Sequence, residues 1–164
     1  MAGYQQTCAE ILERFGQPED AKASNWVAWT CVLAPEAVSD LAAAVRLAEM
    51  AVAATPSDSY RNTLGAILYR AGQFEAAIDE FDQFLATWDE QNMPTQISPA
   101  YTWFFLAMAH HRQGNDDESR EYLEQATTWT EREIADKPAW NRKLTLELLR
   151  KEADSLIGIR KTHQ

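Results

Sequence analysis

The stretch NTLGAILYRAGQFEAAIDEF, residues 62–81, contains a glycine inside a pattern that is otherwise helical. Gly65 stands among apolar residues, where a glycine costs a helix about 0.5–1 kcal/mol relative to alanine. Gly72 follows seven residues later, at a predicted helix end where a left-handed residue is favoured. The small Ala77 and the aromatic Phe81 complete the pattern. Gly65 therefore predicts that another part of the chain approaches this helix backbone very closely.

The composition favours an all-helical domain of ordinary size. The chain has 164 residues, of which 46% are hydrophobic, with only six Gly and six Pro. Apolar residues recur with the period of a helix along nearly the whole chain, and no segment convincingly predicts a strand. The predicted helices span 3–15, 20–34, 38–54, 58–71, 74–90, 98–113, 116–134 and 138–160. The loop at 91–98 is predicted to be free of regular structure. Asp40 and Asp58 are predicted N-caps, and the first helix is predicted to end at 16–18.

The charge is strongly acidic and unevenly distributed. The net charge is −10, with eight Lys or Arg against 22 Asp or Glu in residues 1–136, and seven against three in residues 137–164. The acidic body argues against a nucleic-acid partner, because contacts to phosphates supply most of the affinity for nucleic acids. The basic end is predicted to lie on the chain's own acidic body, with an acidic surface of a partner as the alternative.

The sequence predicts a cytoplasmic protein without a membrane segment. Cys8 and Cys31 are the only cysteines and form no CxxC motif, so we expect buried thiols in a reducing compartment. Glu10 and Glu13 interrupt the first residues before an apolar run can form, so no signal peptide is predicted. The apolar run at 101–109 is too short to cross a bilayer.

The pattern around Gly65 occurs a second time. Its five marked positions, Leu64, Gly65, Gly72, Ala77 and Phe81, recur 42 residues later as Leu106, Ala107, Gly114, Ser119 and Leu123. The shift corresponds to a period of about 34 residues plus an insertion the length of the loop at 91–98.

A helix-turn-helix unit of about 34 residues with this pattern resembles the tetratricopeptide repeat. The resemblance implies an all-α, right-handed superhelix of antiparallel helix hairpins. It divides the single predicted domain, 1–164, into a half-repeat at 3–15, a degenerate repeat at 22–57, repeats at 58–91 and 100–133, and a capping helix at 138–160. It also implies that Gly65 faces Ala77 and that Ala107 faces Ser119.

Four segments are similar to the repeat region at the C-terminal end of large bacterial Ser/Thr protein kinases. They are NWVAWTCVLAPEAVSD, RNTLGAILYRAGQFEAAI, WFFLAMAHHRQGNDDESREYLEQA and LTLELLRKEADSL. The resemblance implies a role in bacterial signalling, either as a piece of such a protein or as a chain standing alone. It implies no kinase activity, because the chain lacks the glycine-rich loop and the HRD and DFG motifs.

The tetratricopeptide resemblance also implies a binding site. In that family the first helix of each unit lines a concave groove, and ligand-facing positions fall on one stripe of this helix. The predicted groove residues are Trp26, Asn62, Tyr69, Arg70, Tyr101, Phe104, Met108, His111 and Arg112. Aromatic residues, Met and Arg are enriched at the cores of protein interfaces. The alternative is that Tyr69, Phe104 and Met108 are ordinary core between repeats.

The predicted function is a non-catalytic interaction with a protein or peptide. The acidic body favours a basic or amphipathic ligand. The lysines with which the family captures a C-terminal carboxylate are not in place. The alternative is a structural module that self-associates, as a homodimer, or docks intramolecularly through its end helices. The missing first helix before 3–15 favours this alternative, because it should leave an apolar edge.

No catalytic, cofactor or metal site is predicted. His110 and His111 are adjacent, so their side chains point about 100° apart on a helix and do not share one site. The paired carboxylates at 79–80 and 116–117 are interpreted as solvated helix faces. The two cysteines lack a basic neighbour in the sequence that would activate a thiol.

Overall fold

The computed structural model describes residues 2–15, 20–39, 41–89 and 97–158. Within these ranges the chain forms eight α-helices and no strand, so the predicted all-α class is confirmed. The helices are α1 (Ala2–Phe15), α2 (Ala21–Thr30), α3 (Leu41–Ala54), α4 (Asp58–Arg70), α5 (Phe74–Thr87), α6 (Pro99–Gln113), α7 (Asp116–Ala135) and α8 (Trp140–Gly158). They belong to two compact units, Met1–Met93 with α1–α5 and Pro94–Gln164 with α6–α8.

In the first unit, α4 and α5 form an antiparallel hairpin. At one end Thr87 donates from Oγ1 to Oδ1 of Asp58, over 3.1 Å. Further along, Nη1 of Arg61 lies 3.1 Å from Oε2 of Glu80. Because residues early in α4 meet residues late in α5, the two helices run in opposite directions. The hairpin packs on the preceding pair, since α4 contacts both α2 and α3.

Gly65 makes room for an aromatic ring. A Cβ atom built on Gly65 would lie 2.6 Å from Cε1 of Phe81, which is closer than van der Waals contact allows. The side chain of Phe81 is fully buried. The prediction of a close approach at Gly65 is confirmed, and the ring of Phe81 supplies the atoms nearest to that position. The Phe81 ring is wide enough to need the space that a Cβ would fill.

In the second unit, α6 and α7 repeat this arrangement. Ser119 donates from Oγ to the backbone oxygen of Ala107 over 2.8 Å, which confirms the predicted contact between these two small residues. Trp103 and Trp129 pack edge to face with ring centroids 5.7 Å apart. Position 107 therefore meets 119 while position 103 meets 129, as an antiparallel pair requires.

A half-buried carboxylate joins the three helices of the second unit. Glu133, near the end of α7, accepts from Oγ of Ser98 at 2.5 Å and from Nη1 of Arg142 at 2.8 Å. Ser98 also caps α6, since its Oγ accepts from the backbone N–H of Ala100. Arg142 lies in the first turns of α8. The start of α6, the end of α7 and the start of α8 are thus held together by one half-buried network.

The helix ends follow the sequence in part. Gly72 and Gly114 have left-handed backbones with φ of 77° and 84°, as predicted for residues that end α4 and α6. Ser57, rather than Asp58, caps α4, because its side chain accepts from the backbone N–H of Tyr60. The cap predicted at residue 40 and the helix end at 16–18 lie outside the described residues.

The helix predicted at 20–34 ends earlier, at Thr30. The backbone N–H of Cys31 bonds to the oxygen of Ala28 and that of Val32 to the oxygen of Trp29, so the last turn tightens to a three-residue spacing. The chain then passes through a turn in which Glu36 has a positive φ of 55°. Helix α3 accordingly begins at 41 rather than 38.

Both cysteines are free and fully buried, as predicted. Cys31 donates from Sγ to the oxygen of Val27, and the Tyr4 hydroxyl donates to the oxygen of Thr30. Cys8 lies close enough to Cys31 for the two thiols to hydrogen-bond. Burial raises the pKa of Cys31 to about 12 and also raises the pKa of Cys8. These contacts attach α1 to α2 through groups that must stay protonated.

Replacing Gly65 with alanine is expected to lower the free energy of unfolding by about 1–3 kcal/mol, because the new methyl group would overlap the Phe81 ring. Urea denaturation measures the change. Gly3→Ala is the matched control, since a Cβ at Gly3 meets nothing within 4 Å. Equal stability of the two variants would contradict the proposed packing.

Stability is also expected to fall at alkaline pH. The pKa of Cys31 is raised in the folded state, so its contribution is complete below the unfolded thiol pKa of about 8.5 and is lost as the pH rises above it. Between about pH 7.5 and about pH 9.5 the free energy of unfolding should drop by about 1.4 kcal/mol from this group alone. A Cys31→Ala variant should show a flatter pH dependence in the same measurement, and an equal slope would contradict the assignment.

Candidate protein-binding site

Most of the predicted groove residues are buried. Asn62 and Tyr69 lie within α4 in a run of eight consecutive buried residues. Tyr101, Phe104 and Met108 lie within α6 in a run of eleven. Phe104 and Met108 have no exposed surface. The structure thus buries these five side chains, and their role in binding stays a prediction.

Arg70 lies at the end of α4 and contacts its own unit. Its Nε donates to the backbone oxygen of Val32 over 2.8 Å, which ties α4 to the turn after α2. Its guanidinium carbon is 5.5 Å from the centroid of the Tyr69 ring, a cation–π arrangement. The Tyr69 ring also packs against Phe74 with centroids 5.6 Å apart. These contacts give Arg70 a structural role inside the first unit.

Tyr101 has a similar role in the second unit. Its hydroxyl lies 3.4 Å from the backbone oxygen of Arg142, to which it donates. Burial raises the pKa of Tyr101 to about 12, so the phenol stays protonated and able to donate. Tyr101 therefore links α6 to the beginning of α8.

Besides Arg70, three predicted groove residues retain accessible surface. Trp26 on α2 has an exposed fraction of 68%, which is large for tryptophan. Arg112, near the end of α6, is exposed, and His111 is partly exposed. Nδ1 of His111 lies 3.6 Å from Oδ1 of Asp116, across the turn that joins α6 to α7. Trp26 belongs to the first unit, and the other two belong to the second.

A cleft opens in the second unit beside His111. Its volume is about 430 Å³, and it lies between α7 and α8 at the C-terminal end of α6. The lining residues are His111, Asp116, Arg120, Leu123, Glu124, Thr127, Thr128, Arg150, Asp154, Ile157 and Gly158. The cleft therefore contains one of the predicted groove residues and ten residues that were not predicted.

The cleft combines apolar and charged side chains. Leu123 from α7 and Ile157 from α8 supply its large apolar groups, with Thr127 and Thr128 beside them. This mixture offers contacts for an apolar side chain and hydrogen bonds for polar groups in the same place. It suits the surface of a protein segment, whose side chains have both characters.

The cations of the cleft are already paired within the protein. Arg120 lies 2.9 Å from Asp117, and Arg150 lies 3.3 Å from Glu131. Arg150 also approaches Asp154 at 3.9 Å. Glu124, by contrast, is exposed and has no ion pair among the described residues. The acidic charge of Glu124 is therefore available to a ligand.

One feature of the sequence points to this cleft. The predicted capping helix follows the second helix of the last repeat and has no partner helix after it in the predicted set, so a groove can remain between these two helices. Arg150 and Asp154 stand four residues apart and so share one face of that helix. Thr127 and Thr128 carry no periodic signal, and only the packing of α7 against α8 brings them into the site.

The described part of the chain has no candidate metal site and no candidate membrane span. No group of three or more His, Cys, Asp or Glu side chains is placed to hold a metal ion there. His110 stacks on Tyr122 with ring centroids 5.5 Å apart, so the two neighbouring histidines do turn to different partners. None of the described helices combines the length and hydrophobicity needed to cross a membrane.

Residues 55–128 match the model of the family described as Tetratricopeptide repeat. The match spans the repeat predicted at 58–91 and most of the repeat predicted at 100–133, and it covers less than half of the chain. No curated protein matches the chain, and no solved structure does. Together with the stacked helix hairpins, the match gives the chain a tetratricopeptide-like all-α repeat fold. Repeats of this family generally mediate protein–protein interactions and are typically non-catalytic.

The structural role of Arg70 can be tested against that of Arg112. Arg70→Ala removes the bond to the Val32 oxygen and the contact with Tyr69, and should lower the free energy of unfolding by about 1–2 kcal/mol. Arg112→Ala, at an exposed position, should change it by less than about 0.5 kcal/mol. Urea denaturation measures the free energy of unfolding of both variants. Equal decreases in the two variants would contradict the structural role of Arg70.

Proposed function

We propose that this chain is a non-catalytic protein–protein interaction module that binds a basic, amphipathic segment of a partner in the cleft between α7 and α8. The observation that carries the proposal is the cleft itself, whose lining combines Leu123 and Ile157 with the exposed carboxylate of Glu124. The family match supports the class of function, because tetratricopeptide repeats generally bind proteins.

The residues that line the cleft suit a ligand that is both apolar and basic. Apolar side chains of the partner would pack on Leu123 and Ile157, which removes apolar surface from water. A lysine or arginine of the partner would meet Glu124. The net charge of −10 would also attract a basic segment before contact and speed its association.

Two of the accessible residues extend this proposal. His111 lines the cleft next to Asp116, so it would contact the end of a bound segment. Trp26 lies in the first unit and would serve as a separate contact of the same or another partner, since exposed tryptophans are frequent anchors at interfaces.

The cellular setting is proposed from the resemblance to repeat regions of large bacterial Ser/Thr protein kinases. In that setting the module would recruit partners for a bacterial signalling protein in the cytoplasm. The two free thiols support a reducing compartment.

The test uses a displayed library of random peptides of about 15 residues, long enough to form a short helix. Panning on the immobilised full chain should enrich peptides that combine Lys or Arg with apolar residues at helical spacing. Glu124→Lys should weaken the affinity of the enriched peptides about five- to tenfold, because it turns an attraction into a repulsion. Isothermal titration measures the affinities.

Glu121→Lys is the matched control. It makes the same charge change on the same helix, at an exposed residue outside the cleft lining. We expect it to leave the peptide affinity within about twofold of that of the unmodified chain. Enriched peptides that bind all three proteins equally, or a library that yields no enrichment, would overturn the proposed cleft function.

A second candidate function is self-association through the end helices. A specific observation favours it, because α8 exposes Trp140, Leu144 and Leu148 to solvent.

A further inference from the structure

Helix α8 is buried on one face only. Helices α4 and α6 are the first helices of the two preceding hairpins. Every residue of the runs 62–69 in α4 and 99–109 in α6 is buried. In α8 the buried residues are Thr145, Leu146, Leu149 and Ala153, which share one face and pack toward α6 and α7. None of the described elements covers the opposite face of α8.

This outer face carries a continuous apolar ridge. Trp140, Leu144 and Leu148 follow each other at four-residue spacing, so their side chains lie in one row along the helix. Their exposed fractions are 79%, 47% and 39%, respectively. Single exposed apolar residues are ordinary, but three large ones in one row on a helix indicate a contact surface.

The charges beside the ridge are self-complementary. Lys143 and Glu147 stand four residues apart on the same side of the ridge, with Nζ and Oε1 separated by 3.8 Å. When two copies of a helix pack antiparallel about a two-fold axis, the same side of each helix faces the same side of the other. With the axis at the level of residue 145, next to Leu144, Lys143 of each copy then lies opposite Glu147 of the second copy.

We propose that the ridge Trp140–Leu144–Leu148 is the contact of a homodimer, in which the α8 helices of two copies cross antiparallel about this axis. Two-fold dimers are the commonest assemblies of identical chains, and they require a self-complementary patch such as this one. Ridges with four-residue spacing pack into one another at about 50° between the helix axes. This assembly makes the second candidate function specific and does not depend on the cleft function.

The size of the ridge sets the strength of the dimer. Stable dimers bury about 1,200–2,000 Å² in total, and three side chains with their neighbours on each copy provide less than that. We therefore expect a dimer that dissociates in the range of about 10–100 μM. Sedimentation equilibrium of the full chain over this range measures the dissociation constant.

The first test places a charge on the axis. Leu144→Glu sets two carboxylates against each other and should raise the dissociation constant more than about tenfold. Met50→Glu is the matched control, because Met50 is an exposed apolar residue of the first unit, with 54% of its surface accessible. It should dimerise like the unmodified chain. Equal effects of the two substitutions, or an unmodified chain that stays monomeric, would overturn the proposal.

The second test separates contacts between copies from contacts within α8. Lys143→Glu alone gives each copy two acidic residues, and Glu147→Lys alone gives each copy two basic ones. Either variant alone should dimerise about tenfold more weakly than the unmodified chain. An equimolar mixture should recover the original affinity, because each mixed pair has opposite charges across the axis.

Mixing leaves the contacts inside each helix unchanged, so recovery can come only from pairing between copies. A mixture that stays as weak as its components would overturn the antiparallel two-fold arrangement. The cleft function is tested independently, since Leu144→Glu should still bind the enriched peptides and Glu124→Lys should still dimerise. An unmodified chain that dimerises but enriches no peptide would thus count against the cleft function alone.

Discussion

The close approach of the two helices in each hairpin is the constraint on which the rest of the structure depends. In the α4–α5 pair the approach exists because Gly65 has no side chain and the Phe81 ring lies where a Cβ would be. In the α6–α7 pair a small residue meets a small one, and Ser119 bonds to the backbone of Ala107. Two helices held this closely act as one rigid element. The first helix of each pair can then be covered on all sides, as the buried runs in α4 and α6 show.

That coverage has a consequence for binding. A first helix that is buried all round presents little side-chain surface to solvent, and Phe104 and Met108 have none. Arg70 and Tyr101 make bonds that hold neighbouring segments of their own units. The surface that we propose for recognition lies where a helix is covered on one face only. Helix α8 is such a helix, and both the cleft beside α7 and the apolar ridge on the outer face lie on it.

Local patterns predicted much of this fold, because they depend on interactions within a few residues along the chain. Left-handed glycines ended α4 and α6 as expected, since only glycine adopts that backbone without strain. The sequence predicted that α2 continues to 34, but it ends at Thr30. The turn after it is formed by backbone hydrogen bonds, which do not depend on a particular residue type. Ser57 displaced Asp58 as a cap for a similar reason, as both residues can accept the same bond.

The sequence by itself determined the helices, their pairing by a repeated small-residue pattern and the match to tetratricopeptide repeats over 55–128. These follow from periodicity and residue size, which are properties of the chain. Only the tertiary structure decided that the Phe81 ring fills the space at Gly65, and that most predicted groove residues are buried. It also decided where a cleft remains, beside Glu124 and between α7 and α8. Exposure depends on which helices cover a given face, and that depends on contacts between residues far apart in the sequence.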